Sequence, residues 1–123
     1  MTIKKLRLSG DFVDFDVVLE INDELLTQND LHEINNFWGD SENRLFFANG
    51  DVLKVVLGLL YNTLLQLQVQ EGNYNAQGVI GLFDWDHQKG QEGWPKMDGS
   101  MGIRILEIDE VIFDETPNIT EVA

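Results

Sequence analysis

Three observations predict an α+β domain of two layers. From Phe12 to Ile21, Val13, Phe15, Val17, Leu19 and Ile21 alternate with Asp14, Asp16, Val18 and Glu20, the period-two pattern of an antiparallel strand with one buried and one solvated face. From Asp51 to about Gln70, Leu53, Leu57, Leu60, Leu64 and Leu67 step by four and three instead, which is helical spacing. Farther on, Val79 to Phe83 and Gly102 to Phe113 read as strands. The order ββααββ gives an antiparallel sheet of about four strands with two main helices packed on one face.

Taken in order, Thr2 to Leu8 and Phe12 to Ile21 form a hairpin through Ser9-Gly10-Asp11. Asn22-Asp23-Glu24 ends it, and Thr27 with Asp30 three residues later has the form of a helix cap with an acid at the positive end of the dipole. The first helix spans about Gln28 to Trp38, with Leu31, Ile34, Phe37 and Trp38 on its apolar side, and Gly39 stops it. A short helical turn, Ser41 to Ala48, carries Leu45, Phe46 and Phe47. Asp51 caps the long second helix, whose Lys54, Gly58, Asn62 and Gln66 form a separate polar stripe, and Glu71-Gly72 closes it. Val52, Val56, Leu59 and Leu65 widen its apolar side, so it is buried on more than one side, either within the fold or in a homodimer through residues 51–70. In the last strand Ile103 and Ile105 differ in parity from Ile108 and Ile112, and a bulge or turn near Glu107 to Glu110 would reconcile them. Residues 1–113 read as one domain and 114–123 as a flexible acidic tail.

A chain of 123 residues fits one domain with one core. With no cysteine, disulfides, zinc-thiolate sites, iron–sulfur ligation and thiol nucleophiles drop out together. Ser9, Gly10, Asp11, Asp14 and Asp16 interrupt any signal-peptide run after the basic N-terminus, and a cytoplasmic location is expected. Lys54, Asn62, Thr63, Gln66 and Gln68 argue that the apolar run from Val52 to Val69 is a core helix rather than a membrane span. The formal net charge is −14, and no Lys or Arg occurs between Leu8 and Asn43. That balance opposes direct binding to nucleic-acid phosphates or anionic membranes.

The segment most suggestive of a site is the long loop from Asp84 to Met101, because loops of this length are usually functional or disordered and this one holds Trp85 and Trp94. Asp84, Asp86, Gln88 and Gly90 approach a calcium loop, but Lys89 stands where its glycine belongs and Pro95 where its bidentate acid belongs. His87 with Asp84, Asp86 and Glu92 offers a metal or acid–base cluster, yet the only other histidine, His32, lies on the first helix. No phosphate loop, nucleophile elbow, zinc-protease helix or dinucleotide fingerprint occurs, so no cofactor is implied. Trp85, His87, Trp94 and Met97 could present a recognition surface. Alternatively, the tryptophans fold back and pin the loop, their indole N–H groups bonding loop carbonyls. Asp14, Asp16 and Glu20 share one strand face, readable either as a nucleic-acid mimic that occupies a basic site or as a solvated surface.

At Leu31-His32-Glu33-Ile34-Asn35-Asn36-Phe37-Trp38, and again through Phe83-Asp84-Trp85-Asp86, Gly90-Gln91-Glu92-Gly93-Trp94-Pro95, Met97-Asp98-Gly99 and Gly102-Ile103, the chain resembles a family of small uncharacterised bacterial and mobile-element proteins sharing a domain of unknown function. The resemblance covers nearly the whole chain and implies bacterial origin, from a prophage or other mobile element. It brings no activity, cofactor or catalytic residue. The sequence therefore favours a non-enzymatic protein that binds a protein partner. Its alternative is a metal- or small-molecule-binding protein or enzyme using residues 84–101.

Overall fold

The computed structural model describes residues 2–111 and 118–122. Along the chain run β1 (Ile3–Ser9), β2 (Asp16–Asn22), α1 (Gln28–Phe37), α2 (Ser41–Phe47), α3 (Val52–Glu71), α4 (Ala76–Leu82), a 3-10 turn at Trp85–His87, and β3 (Ile103–Ile108). The α+β class is as expected, but the sheet has three strands among the described residues, antiparallel in the order β1-β2-β3. The expected continuation of the last strand through Ile112 and Phe113 lies outside the described residues. So does the tail, apart from 118–122, which are exposed and form no helix or strand.

The inner sheet face is the alternation made physical. Val17, Leu19 and Ile21 of β2 stand opposite Ile108, Ile105 and Ile103 of β3, and the register slips by one residue between Val18 and Leu19. Glu107 pairs with Val18 while Ile105 pairs with Leu19, so Leu106 is the extra residue of a bulge. It lies just before the expected Glu107 to Glu110 and restores Ile108 to the core side. The hairpin also differs: β2 starts at Asp16 rather than Phe12, and Phe12 and Val13 are exposed. Phe15 is nevertheless fully buried, its ring 5.4 Å from that of Tyr61, whose hydroxyl donates to the Phe15 carbonyl at 2.7 Å.

Residues Val79 to Phe83, expected as a strand, lie instead in and just after α4. A short apolar run does not reveal its own period, and here Asn75 decides, its side chain accepting from the Gly78 N–H at 2.9 Å to start a helix. Val79 and Phe83, one turn apart, are then both fully buried. The position beside β3 that a fourth strand would fill is taken by the loop. Ile105 N–H donates to Met97 O at 3.2 Å and Gly99 N–H to Ile103 O at 2.9 Å.

The helices follow their caps. Thr27 and Asp30 form a reciprocal capping box, Asp30 N–H to Thr27 Oγ1 at 3.2 Å and Thr27 N–H to Asp30 Oδ2 at 3.0 Å. In α1, Leu31 and Ile34 are buried as expected, but Phe37 is half exposed and Asn35 takes a buried position. Asp51 caps α3 through the Lys54 N–H at 3.2 Å. Val56, Leu60 and Leu64 are wholly buried in one cluster with Val17, Leu19 and Ile21, whereas Lys54, Gly58, Asn62 and Gln66 face outward. Full burial of such an aliphatic side chain is worth ~1.5–3 kcal/mol, so this stripe fixes α3 on the sheet. By length and composition alone α3 could cross a membrane; in this fold it is the core helix.

Two polar devices hold what apolar packing does not. Gln68, almost fully buried, donates to Tyr74 O at 2.9 Å and Asp109 O at 3.0 Å and accepts from Tyr74 N–H at 3.0 Å. It ties the end of α3 to the chain following β3. The short helix α2 has no buried side chain. Arg44 secures it by donating Nε to Asn35 Oδ1 at 3.0 Å, and guanidinium N–H groups to the carbonyls of Asn35 at 2.9 Å, Trp38 at 3.2 Å, and Gly39. Asn35 Nδ2 returns a bond to Ser41 O at 3.1 Å. α1 has no basic residue in its last turn, so Arg44 supplies the cation its C-terminal carbonyls attract.

Candidate interaction surface

The loop from Asp84 to Met101 is ordered from both ends. Asp84 Oδ1 accepts from Asp86 N–H at 3.1 Å, while its Oδ2 lies 2.6 Å from His87 Nδ1. Lys96 returns across the loop, its Nζ 3.8 Å from Asp84 Oδ1 and paired more closely with Asp86. The His87 hydrogen bond holds the Asp84 carboxyl below its ordinary value, and the hydrogen bond to Asp86 holds the Lys96 ammonium above its own. At the far end Asp98 accepts from Ser100 N–H at 2.9 Å and from its hydroxyl, which chiefly lowers the Asp98 carboxyl.

The two loop tryptophans point differently. Trp94 is 4% exposed and belongs to the core, whereas Trp85 is 49% exposed. Trp85 lies flat over Gly90, where a Cβ would come within 2.3 Å of its ring, and its indole donates to Trp94 O at 3.0 Å. That bond is the expected pin from indole to loop carbonyl. Trp94 departs from it: its own N–H is buried with no acceptor among the described residues, as is that of Trp38. Met97 is fully buried, its backbone lying alongside β3. Of Trp85, His87, Trp94 and Met97, only Trp85 and His87 therefore reach the surface.

The proposed chemical cluster also divides. Asp84, Asp86 and His87 come together, but they satisfy one another and Lys96, which lies outside the cluster the sequence suggests. Glu92 lies apart from them, on a cleft it shares with Trp38 and Asn62. Among the described residues no three His, Asp or Glu side chains converge as metal ligands.

The acidic strand face is likewise not one-signed. Asp14 precedes β2, so only Asp16 and Glu20 share the outer strand face. Glu20 stands between Lys5 of β1 and Arg104 of β3, and Arg7 Nη1 is 3.3 Å from Asp16 Oδ2. Cross-strand pairing thus interleaves cations with acids the sequence placed alone.

A groove of about 490 Å3 runs between α1 and the end of the loop. Leu26, Ile34 and Trp94 are its buried apolar part, and Leu25 and Met101 are half-exposed walls. Asp30 and Glu33 supply its charge, with no Lys or Arg in the lining. In the sequence Asp30 reads as a capping acid and both acids fall in the stretch without Lys or Arg, which is the local signal; their position opposite Pro95 and Met101 depends on tertiary structure.

A family model described as "Protein of unknown function (DUF2528)" matches residues 16–119. The chain is 47% identical over 107 residues to the lambda prophage-derived protein ea10 of Escherichia coli O6:H1, covering 83% of this chain and 86% of that protein. The same identity and coverage hold for protein ea10 of Escherichia phage lambda. No solved structure matches.

Proposed function

The chain belongs to the DUF2528 family of proteins of unknown function, and from that premise we propose that it is a non-enzymatic binding protein that captures a basic, apolar-centred segment of another protein. The observation that carries this reading is the groove between α1 and residues 93–101, where exposed Leu25 and Met101 flank an apolar floor beside Asp30 and Glu33. An apolar side chain can enter the floor while Lys or Arg beside it meets the two carboxylates. The overall charge of −14 steers such a partner inward over longer range.

The nucleic-acid mimic is less well supported, because Lys5, Arg7 and Arg104 interrupt the face it would use. A metal or small-substrate role for Asp84, Asp86 and His87 must displace contacts that already hold the loop.

The test is titration of the protein with a peptide array in which Leu, Phe or Met is flanked by Lys and Arg, alongside matched peptides flanked by Glu. The basic peptides should bind saturably and shift amide resonances in α1 and 93–101. Combining Leu25→Asp with Glu33→Lys should weaken them at least ~10-fold, and added salt should weaken the unmodified complex. Absence of saturable binding, or binding untouched by the double change, would overturn the reading.

A further inference from the structure

The strongest surface outside that groove is α2. Phe46 and Phe47 are 75% and 80% exposed, their rings 5.6 Å apart at 78°. Their exposure is not a loose end, since Arg44 and Asn35 fasten the helix that carries them through its backbone and polar groups. A helix held firmly with two aromatic rings turned outward is a pre-ordered apolar contact, and aromatics are prominent in the centres of interfaces.

Beside the rings lies a groove of about 440 Å3 between α2 and α3, lined in part by Phe47, Ala48, Val55 and Leu59. Its α3 wall contains Gly58, where a Cβ would meet nothing within 4 Å. A protruding aromatic pair next to an apolar groove is self-complementary under a two-fold axis, because each copy offers a knob and a recess. The charges favour the same occupant. Around this face Asp40, Glu42 and the adjoining Asp51 stand with Arg44 and Lys54, one acid in excess, whereas the whole chain carries −14. Two copies of so acidic a molecule meet with least repulsion at a nearly neutral patch.

We infer that this face receives a second copy of the chain, the Phe46–Phe47 pair of each seating in the α2–α3 groove of the other. A Phe buries roughly 150–250 Å2, so four largely exposed rings supply about half of the ~1,200 Å2 at which specific interfaces begin. The contact shares no lining residue with the groove between α1 and 93–101. Failure of one proposal therefore leaves the other standing.

Sedimentation equilibrium of the full chain, from about 1 μM to 1 mM, tests it. The protein should pass from monomer to dimer, with association changing less than about threefold between low and moderate salt. Phe46→Ser with Phe47→Ser, and separately Gly58→Arg, should each weaken dimerisation at least ~10-fold. All these substitutions lie on exposed positions, and circular dichroism should remain unchanged. A monomer over the whole range overturns the inference, as does a dimer indifferent to both folded variants. Another protein captured by this face while the chain stays monomeric also counts against it.

Discussion

Replacing Arg44 by Met removes the guanidinium while keeping much of the side-chain length. Asn35 is 1% exposed, so losing its partner at 3.0 Å leaves Oδ1 unsatisfied in the interior, at a cost of ~1–3 kcal/mol. The carbonyls of Trp38 and Gly39, both outside the fully buried class, can recover water. Loss of the cation at the end of α1 adds ~0.3–1 kcal/mol. The sum is ~1.3–4 kcal/mol against a typical domain stability of ~5–15 kcal/mol. With a urea slope of ~2 kcal/mol/M, the unfolding midpoint should fall by about 0.7–2 M. Arg44→Lys should recover part of this, since an ammonium can reach one carbonyl but cannot reproduce the fork. Amide exchange should quicken across Ser41–Phe47 before the rest of the chain. A loss below ~0.5 kcal/mol for Arg44→Met, or full rescue by Lys, would show that this network does not hold α2.

Two further outcomes follow from polar contacts. Gln68→Met removes an amide that serves Tyr74 N–H, Tyr74 O and Asp109 O; thermal unfolding should report a loss of ~2–4 kcal/mol, and less than ~1 kcal/mol would deny the amide its linking role. At Asp84 the carboxyl pKa of the folded state is held below the ordinary aspartate value of the unfolded chain, chiefly by its hydrogen bond with His87. Its stabilising contribution is therefore present above that unfolded value and lost as pH falls through the lower folded value. Carboxyl NMR titration should place its midpoint below 3.8 and move it upward in His87→Ala; an unmoved midpoint would assign the depression to another group.

Much of the scaffold was legible because local rules and tertiary demands agreed. Thr27 with Asp30 announced a helix start, Asp51 announced another, and the separate leucine and polar stripes of α3 both fell where a helix puts them. The slip in isoleucine parity correctly required a bulge, but only the β2 register located it at Leu106. At Val79 to Phe83 the apolar run is compatible with either period, and the local cue for a helix is the nearby Asn75 cap. The candidate site was less readable. Burial of Trp94 and Met97, the pairing of Lys96 with Asp86, and the cations flanking Glu20 all depend on residues distant in sequence. An acidic composition cannot disclose which carboxylates have neighbours of opposite sign.

The segment around Met97 gives the scarce positive charges a second meaning. By lying along β3, it occupies the backbone donors and acceptors that another chain would need to extend the sheet on that side. The opposite border, β1, has no such cover among the described residues, and its sequence is Ile-Lys-Lys-Leu-Arg-Leu-Ser. Three of the eight basic residues stand there. To add its own β1 to that border, another molecule must bring its lysines and arginine against these, desolvating them where they repel. One border is capped by a loop and the other by charge, so both edges of the sheet formed by the described residues oppose the addition of another chain.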